Sequence, residues 1–167
     1  MPSRGKNFEK EFKNSIEVVG MYAMRIADKV YWNGTRIASE QTPADFLAYL
    51  SCGRLVGVMI ECKATAQKSL PFDNLQPHQR EALETFDAFD RDARGYVAVN
   101  FYDSANIRNR NECYLIPIAV WCEYADKGDR KSLPMDACAD DDRIIHCERI
   151  KGSMYDMVGF ASALKKI

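Results

Sequence analysis

A short β-hairpin with acidic residues at its open end constrains this chain more than any other feature of its sequence. The apolar, β-branched run Leu55–Ile60 follows the turn signal Ser51-Cys52-Gly53 and predicts a strand that leads into Glu61. If residues 45 to 50 form the partner strand, a three-residue loop centred on Gly53 places Asp45 directly opposite Glu61. The hairpin therefore predicts two carboxylates side by side.

Lys63 joins this pair. Because side chains alternate along a strand, Glu61 and Lys63 share one face, and Cys62 points into the core. Two neighbouring carboxylates repel each other unless a cation lies between them, and hard oxygen ligands suit Mg²⁺, or Mn²⁺ in its place. A lysine beside them would orient or deprotonate an attacking water, or stabilise charge on a phosphate. The pattern indicates a metal-dependent phosphodiesterase, while a surface salt bridge at a strand end would produce the same residues.

The overall composition is that of one globular domain spanning residues 1 to 167. The net charge of −1 argues against a polybasic protein and leaves any nucleic-acid contact to a local patch. The six cysteines never occur as Cys-x-x-Cys, and the opening residues are charged instead of forming an apolar leader, so we expect reduced thiols and a cytoplasmic location. No apolar run is long enough to span a bilayer, so we expect no membrane partner.

The periodicity of apolar residues predicts an alternation of helices and strands. A first helix is predicted over residues 7 to 27, and a second follows Pro77 with Leu83, Phe86 and Phe89 on its buried face. Residues 29 to 32 predict a short strand, and residues 33 to 41 a polar loop. Two further strands are predicted over 96 to 102 and 113 to 121, and a last helix over 154 to 166. This order predicts an α/β fold with a mixed central β-sheet flanked by helices.

Several segments of the chain also resemble a known family in their order and approximate spacing. They are Arg4-Gly5-Lys6 with Phe8-Glu9, Thr42–Phe46, Ile60–Thr65, Ser69–Phe72 and His78-Gln79. Together they resemble the RecU-type Holliday-junction resolvases of bacteria and their phages. The resemblance implies a PD-(D/E)XK nuclease fold and a homodimer that cuts four-way DNA junctions symmetrically with a divalent metal.

The resemblance also implies roles for individual residues. Asp45 and Glu61 would bind the metal, Lys63 would be the catalytic lysine, Gln79 would complete the site as a further metal ligand, and Glu9 would approach the metal from the first helix. Arg4 and Lys6 would engage DNA from a basic N-terminal arm, residues 1 to 6, which we expect to be flexible. For DNA contact we add Lys68 and His78. The alternative for Lys68 is a solvated side chain. His78 is interpreted as a helix-start or phosphate-contacting residue in preference to a metal ligand, because magnesium sites prefer oxygen.

Together these features predict a Mg²⁺-dependent, structure-selective endonuclease that resolves Holliday junctions in recombination and repair, in a bacterial cell or encoded by a phage. One alternative is a nuclease of the same fold that cuts flaps, ends or duplex DNA. Another is a catalytically silent DNA-binding module, and a third is an interaction domain with no DNA role. The intact set of Asp45, Glu61 and Lys63 argues against both non-enzymes, because a binder has no use for a carboxylate pair that repels phosphate.

Overall fold

The computed structural model describes residues 3–27, 29–32, 34–106, 110–150 and 154–166. Its helices are α1 Arg4–Val18, α2 Pro77–Phe89, α3 Ile118–Lys127, α4 Met135–Asp140 and α5 Val158–Lys165, with a 3₁₀ turn at Phe72–Asn74. Its strands are β1 Tyr22–Arg25, β2 Lys29–Trp32, β3 Ile37–Glu40, β4 Phe46–Ser51, β5 Leu55–Thr65, β6 Ser69–Pro71, β7 Ala93–Tyr102, β8 Asn111–Pro117, β9 Ser132–Pro134, β10 Ile145–Cys147, β11 Arg149–Ile150 and β12 Met154–Tyr155.

A six-stranded sheet lies at the centre, in the order β1-β4-β5-β7-β8-β10. Neighbouring strands in this sheet are antiparallel, except that β5 and β7 are parallel and are joined through α2. Separate two-stranded ladders join β2 to β3, β6 to β9 and β11 to β12. The predicted mixed central sheet flanked by helices is confirmed.

The two faces of the sheet bury separate apolar clusters. One cluster packs Phe8, Phe12 and Ile16 of α1, together with residues of α5, against the even-numbered side chains of β4 and β5. The other packs Leu83 of α2 and Trp121 of α3 against the opposite face. These two layers hold β5 in the middle of the molecule, where both of its edges are paired.

The predicted hairpin is confirmed in its register. The ladder between β4 and β5 runs from Phe46 opposite Ile60 to Ser51 opposite Leu55. Gly53 lies in the connecting loop with φ +84°, a left-handed conformation that glycine adopts without the steric cost of a Cβ. This turn sets which residues of β4 face which residues of β5.

Several predicted boundaries are wrong. The first helix ends at Val18, and residues 22 to 25 form β1. The prediction extended the helix too far because Ala23 fits both the spacing of a helix and the alternation of a strand. The strand predicted over 113 to 121 ends at Pro117, whose missing N–H cannot extend a ladder, and α3 begins there. Residues 37 to 40 form β3 instead of a loop.

The structure places residues 4 to 6 of the predicted arm in a helix. Ser3 caps α1 with its side-chain oxygen, and Arg4 to Lys6 form the first turn of this helix. Met1 and Pro2 lie outside the described residues. A further correction concerns Phe89, which was predicted on the buried face of α2 and is 83% exposed, whereas Leu83 is fully buried.

Candidate active site

Asp45 immediately precedes Phe46, the first residue of β4. Its backbone N–H donates to the Ile60 carbonyl oxygen at 3.1 Å, although Ile60 is already the register partner of Phe46. This two-to-one pairing is characteristic of a β-bulge, which re-aims side chains next to active sites. The Asp45 carboxylate turns back along β5, where Oδ2 accepts a 2.8 Å hydrogen bond from the Cys62 backbone N–H. The pairing at this end is therefore displaced by one residue from the direct Asp45–Glu61 opposition predicted by the sequence.

Glu61 is held inside the sheet and is only 3% exposed. Its Oε1 atom accepts hydrogen bonds from Lys63 Nζ at 2.8 Å and from Gln79 Nε2 at 2.7 Å. Its Oε2 atom is buried and has no hydrogen-bond partner among the residues that the structure describes. A buried carboxylate oxygen without a partner is costly, so this atom marks a place where a ligand would be stabilising.

Gln79 links Glu61 and Lys63 from the first turn of α2. Its amide oxygen accepts from Lys63 Nζ at 3.0 Å and from the Gln76 backbone N–H at 3.1 Å, and its amide nitrogen donates to Glu61. Gln76 and Gln79 also form a capping box, which fixes the start of the helix. The amide oxygen thus accepts two hydrogen bonds, and metal binding by Gln79 stays a prediction.

Glu9 approaches the same place from α1. Its carboxylate accepts from the Arg25 guanidinium, with a 3.2 Å contact between Glu9 Oε2 and an Arg25 amino nitrogen. The negative charge of Glu9 raises the pKa of both Asp45 and Glu61. The predicted approach of Glu9 to a bound metal stays a prediction, and its partner Arg25 was not recognised from the sequence.

Burial dominates the electrostatics of the acidic pair. It raises the pKa of Asp45 to about 7, with the charge of Glu61 adding to the rise and the hydrogen bond from Cys62 opposing it. Burial also raises the pKa of Glu61, against the opposing effect of Lys63. Both shifts have the same physical meaning: two carboxylates out of water are disfavoured as a charged pair, and a cation between them would remove that cost.

The donor set fits a divalent cation. Asp45 and Glu61 supply carboxylate oxygens, one of them the buried, unpartnered Oε2 of Glu61. Within the described ranges, no group of three or more histidine, cysteine, aspartate or glutamate side chains is arranged to hold a metal. Two carboxylates suffice for Mg²⁺, which usually keeps several waters and takes only one or two carboxylates from a protein.

The predicted DNA-contacting residues divide into two groups. Lys6 is exposed on α1 and, with Glu9, lines a cleft of about 350 Å³. The other residues lining this cleft are Lys10, Lys13, Arg25 and Phe46. Lys68 is exposed between β5 and β6, and His78 is partly exposed beside Gln79. For these three, DNA contact stays a prediction.

Arg4 belongs to a different environment. Its guanidinium donates to Glu11, Asn100, Asn111 and Tyr155, and its side chain is only 14% exposed. These contacts tie the first turn of α1 to β7, β8 and β12. The geometry favours a structural role for Arg4 over the DNA contact predicted for it.

Two features of the site were missed at the level of sequence. One is the Cys62 backbone N–H that holds Asp45, which no side-chain pattern could reveal. The other is Gln76, which forms a capping box with Gln79 although the sequence pattern of this motif has Ser or Thr at the first position.

No protein-family model and no curated protein matches this chain. Among solved structures, it is similar to Hjc, a Holliday junction resolvase from the archaeal hyperthermophile Archaeoglobus fulgidus. The identity is 22%, the match covers 77% of this chain and 85% of that chain, and the TM-score is 0.48. At this level of similarity the function has to be argued from the site itself.

Proposed function

We propose that this protein is a divalent-metal-dependent, structure-selective DNA endonuclease that resolves four-way junctions as a homodimer. The observation that carries the chemistry is the Glu61 carboxylate, with one oxygen held by Lys63 and Gln79 and the other buried and unpartnered beside Asp45. The choice of a four-way junction as substrate rests on the RecU-type segments of the sequence. Symmetric cleavage needs two sites related by a two-fold axis, which is why the proposal includes a homodimer.

Asp45 and Glu61 would hold Mg²⁺, or Mn²⁺ in its place, through their carboxylate oxygens. Lewis-acid polarisation of a phosphate oxygen and activation of water are the chemistry that such an ion supplies when it is bound. The cation fits here because burial makes the paired negative charges unfavourable without it.

Lys63 acts next to the reacting phosphate. Its Nζ donates to Glu61 Oε1 and to Gln79 Oε1, which leaves one of the three donors of an ammonium group for a water or a phosphate oxygen. Gln79 hydrogen-bonds to both Lys63 and Glu61, so its loss would misplace these two side chains together. In-line attack by the oriented water would leave a 5′-phosphate and a 3′-hydroxyl.

A cleavage assay tests this proposal. Labelled four-way junction, flap and linear duplex are incubated with the protein, with and without Mg²⁺, and with Glu61→Gln and the control Glu81→Gln on the exposed side of α2. We expect junction cleavage only with metal, its loss in Glu61→Gln, and wild-type rates in Glu81→Gln. Glu61→Gln should still bind the junction, because removing a negative charge eases the approach of phosphate.

Each of the other outcomes would support a different function or refute the assigned site. Faster cleavage of flaps or duplex than of junctions would indicate a nuclease of different substrate preference. Junction binding without cleavage under any metal would indicate a binding module. Unchanged cleavage by Glu61→Gln would refute the assignment of the active site.

A further inference from the structure

A six-residue sequence occurs twice in this chain, and its two copies pair with each other. Residues 68 to 73 and residues 131 to 136 both read Lys-Ser-Leu-Pro-x-Asp. They contain the antiparallel strands β6 and β9, whose register is Ser69 with Pro134, Leu70 with Leu133 and Pro71 with Ser132. The pairing is therefore symmetric about the two leucines. We call residues 68 to 73 and 131 to 136 together the paired ribbon.

Backbone hydrogen bonds close the two ends of the paired ribbon in the same way. The Met135 N–H donates to the Lys68 carbonyl oxygen at 2.8 Å, and the Phe72 N–H donates to the Lys131 carbonyl oxygen at 3.1 Å. Each lysine therefore lies at one end of the ribbon. The two lysine Cα atoms are separated by four residue positions along the strands, which is about 13 Å at a rise of about 3.3 Å per residue.

Three of the five shared positions of the repeat have a structural role. Both leucines are fully buried. The prolines precede the 3₁₀ turn and α4, and the aspartates lie in the first turns of these two elements, where the helix dipole favours a carboxylate. These positions explain a strand that ends at a proline and continues into a helical turn. They leave the lysine and the serine of each copy without a structural role.

The lysine and the serine of each copy are available to a ligand. Lys68 and Lys131 are exposed, and Ser69 and Ser132 are half-buried. In the part of the chain that the structure describes, the side chains of these four residues make no hydrogen bond or ion pair. The paired ribbon therefore presents two ammonium groups and two hydroxyls in a symmetric arrangement.

The strand β6 is connected to the candidate active site on both sides. Residues 66 to 68 link it to β5, the strand of Lys63, and the Arg110 guanidinium donates to the first carbonyl oxygen of this link. Because five residues separate the lysines of β5 and β6, their Cα atoms are at most about 18 Å apart. On its other side the chain continues to Gln76, whose backbone N–H donates to Gln79 at 3.1 Å. The paired ribbon therefore lies within a few nucleotides' reach of the candidate active site.

We propose that the paired ribbon binds the phosphate backbone of the DNA strand that is cleaved, through one lysine and one serine at each of two phosphates. Ammonium groups and hydroxyls are common donors to phosphate oxygens. The separation of about 13 Å between the lysines corresponds to about four nucleotides, at a rise of about 3.4 Å per nucleotide. Lys68 was predicted to contact DNA from the sequence, whereas Lys131 and the two serines were not.

This inference rests on the proposed function and adds a second DNA-binding surface to it. The leucines of the paired ribbon belong to the apolar cluster on the face of the sheet opposite α1. The basic cleft beside α1 and the paired ribbon are therefore on different faces of the sheet. A strand that contacts both surfaces would pass the carboxylates of Asp45 and Glu61.

The salt dependence of junction binding tests the proposal. Binding of a labelled four-way junction is measured by fluorescence polarisation in EDTA, over a series of NaCl concentrations. Lys68→Ala and Lys131→Ala should each reduce the slope of log affinity against log salt by about one unit, because each removes one cationic contact to phosphate. Combined Ser69→Ala and Ser132→Ala substitutions should lower the affinity by about 10-fold at an unchanged slope, because a hydroxyl is neutral.

The matched control is Lys165→Ala, which replaces another exposed lysine, on α5 at the opposite face of the sheet, and should keep the wild-type slope. Wild-type slopes in both Lys68→Ala and Lys131→Ala would overturn the proposal, and so would an equal fall in the control. Circular dichroism shows whether each variant is folded. Because the assay contains no metal and measures no cleavage, its failure would leave the proposed nuclease chemistry intact, and failure of the cleavage assay would leave this DNA contact intact.

Discussion

Asp45 shows how a single buried carboxyl group can disfavour the folded state. Its pKa rises from an ordinary 3.8 to about 7, first through burial and then through the charge of Glu61. Between these two values the folded protein keeps a proton that the unfolded chain has lost. The free energy of unfolding of the metal-free protein should therefore fall as pH rises through this window. Above pH 7 the folded state carries the full cost of the buried, ionised carboxylate.

We predict that Asp45→Asn stabilises the metal-free protein at pH 8 by on the order of 2 kcal/mol, because it removes the buried charge. The gain should shrink toward pH 4, where the aspartate is protonated in the folded state and only partly ionised in the unfolded chain. Urea unfolding in EDTA at the two pH values measures this difference, with Asp129→Asn on the exposed surface as control. Mg²⁺ should stabilise the wild type and not Asp45→Asn. A gain that is equal at both pH values would contradict the electrostatic explanation.

Gln79 provides a second test at the scale of one residue. If Gln79 positions Glu61 and Lys63 instead of binding metal, Gln79→Ala should lower the cleavage rate by about 10- to 100-fold. Saturating Mg²⁺ should not restore this rate. Glu81→Ala, on the exposed side of the same helix, should cleave normally. Full rescue by added metal would return Gln79 to the set of metal ligands.

At the scale of elements, the packing of α2 on β7 depends on the absence of a side chain at Gly95. A Cβ atom there would lie 2.6 Å from the Leu83 carbonyl oxygen, and this backbone atom cannot move without displacing the helix. The helix α2 ends at Phe89, and Gly95 lies within β7. Its function is to allow the close approach of the helix that carries Gln79.

Gly95→Ala should therefore destabilise the protein by about 1–3 kcal/mol through overpacking. Gly159→Ala in α5 is the matched control, because the nearest atom to its new Cβ is 3.8 Å away and alanine favours a helix. Denaturant unfolding should show a loss for the first variant and no loss for the second. Equal effects would mean that the contact with Leu83 does not limit the packing.

The N-terminus of α1 supports a second prediction at this scale. Arg4→Ala would leave Glu11 and the amides of Asn100 and Asn111 without their cationic partner in a largely buried site. The loss should be on the order of 3 kcal/mol. Lys6→Ala, on the exposed side of the same turn, should leave the unfolding free energy nearly unchanged. A similar small effect of both substitutions would show that Arg4 is not a structural residue.

At the scale of the whole molecule, a net charge of −1 can still support DNA binding if the charges are segregated. Lys6, Lys10, Lys13 and Arg25 line the cleft that contains Glu9. Acidic residues are concentrated elsewhere in sequence, at Asp140–Asp142. DNA would then approach along α1 toward Asp45 and Glu61.

The salt dependence of junction binding measures this segregation. Each phosphate contact releases condensed counterions, so Lys10→Ala should reduce the slope of log affinity against log salt by about one unit. Lys165→Ala on the exposed side of α5 should leave the slope unchanged. An unchanged slope for Lys10→Ala would place the DNA-binding surface elsewhere on the molecule.

The sequence by itself determined the features that depend on local patterns. The turn at Gly53 and the alternation of β5 were sufficient to predict the hairpin register, and the Glu-x-Lys spacing placed Glu61 and Lys63 on one face of the strand. Pro77 marked the start of α2 correctly, because proline is favoured in the first turn of a helix. These are interactions between residues close together in the chain, so few alternatives compete with them.

Only the tertiary structure decided what depends on distant packing. The bulge at Asp45 and the occupied amide of Gln79 arise where β4, β5 and α2 meet. The burial of Arg4 depends on strands about a hundred residues away along the chain. The same is true of Phe89, which the helical period assigned to the core but which the edge of the sheet leaves exposed. A periodic pattern predicts which apolar side chains share one face of an element, but three-dimensional packing decides whether that face is buried within the chain.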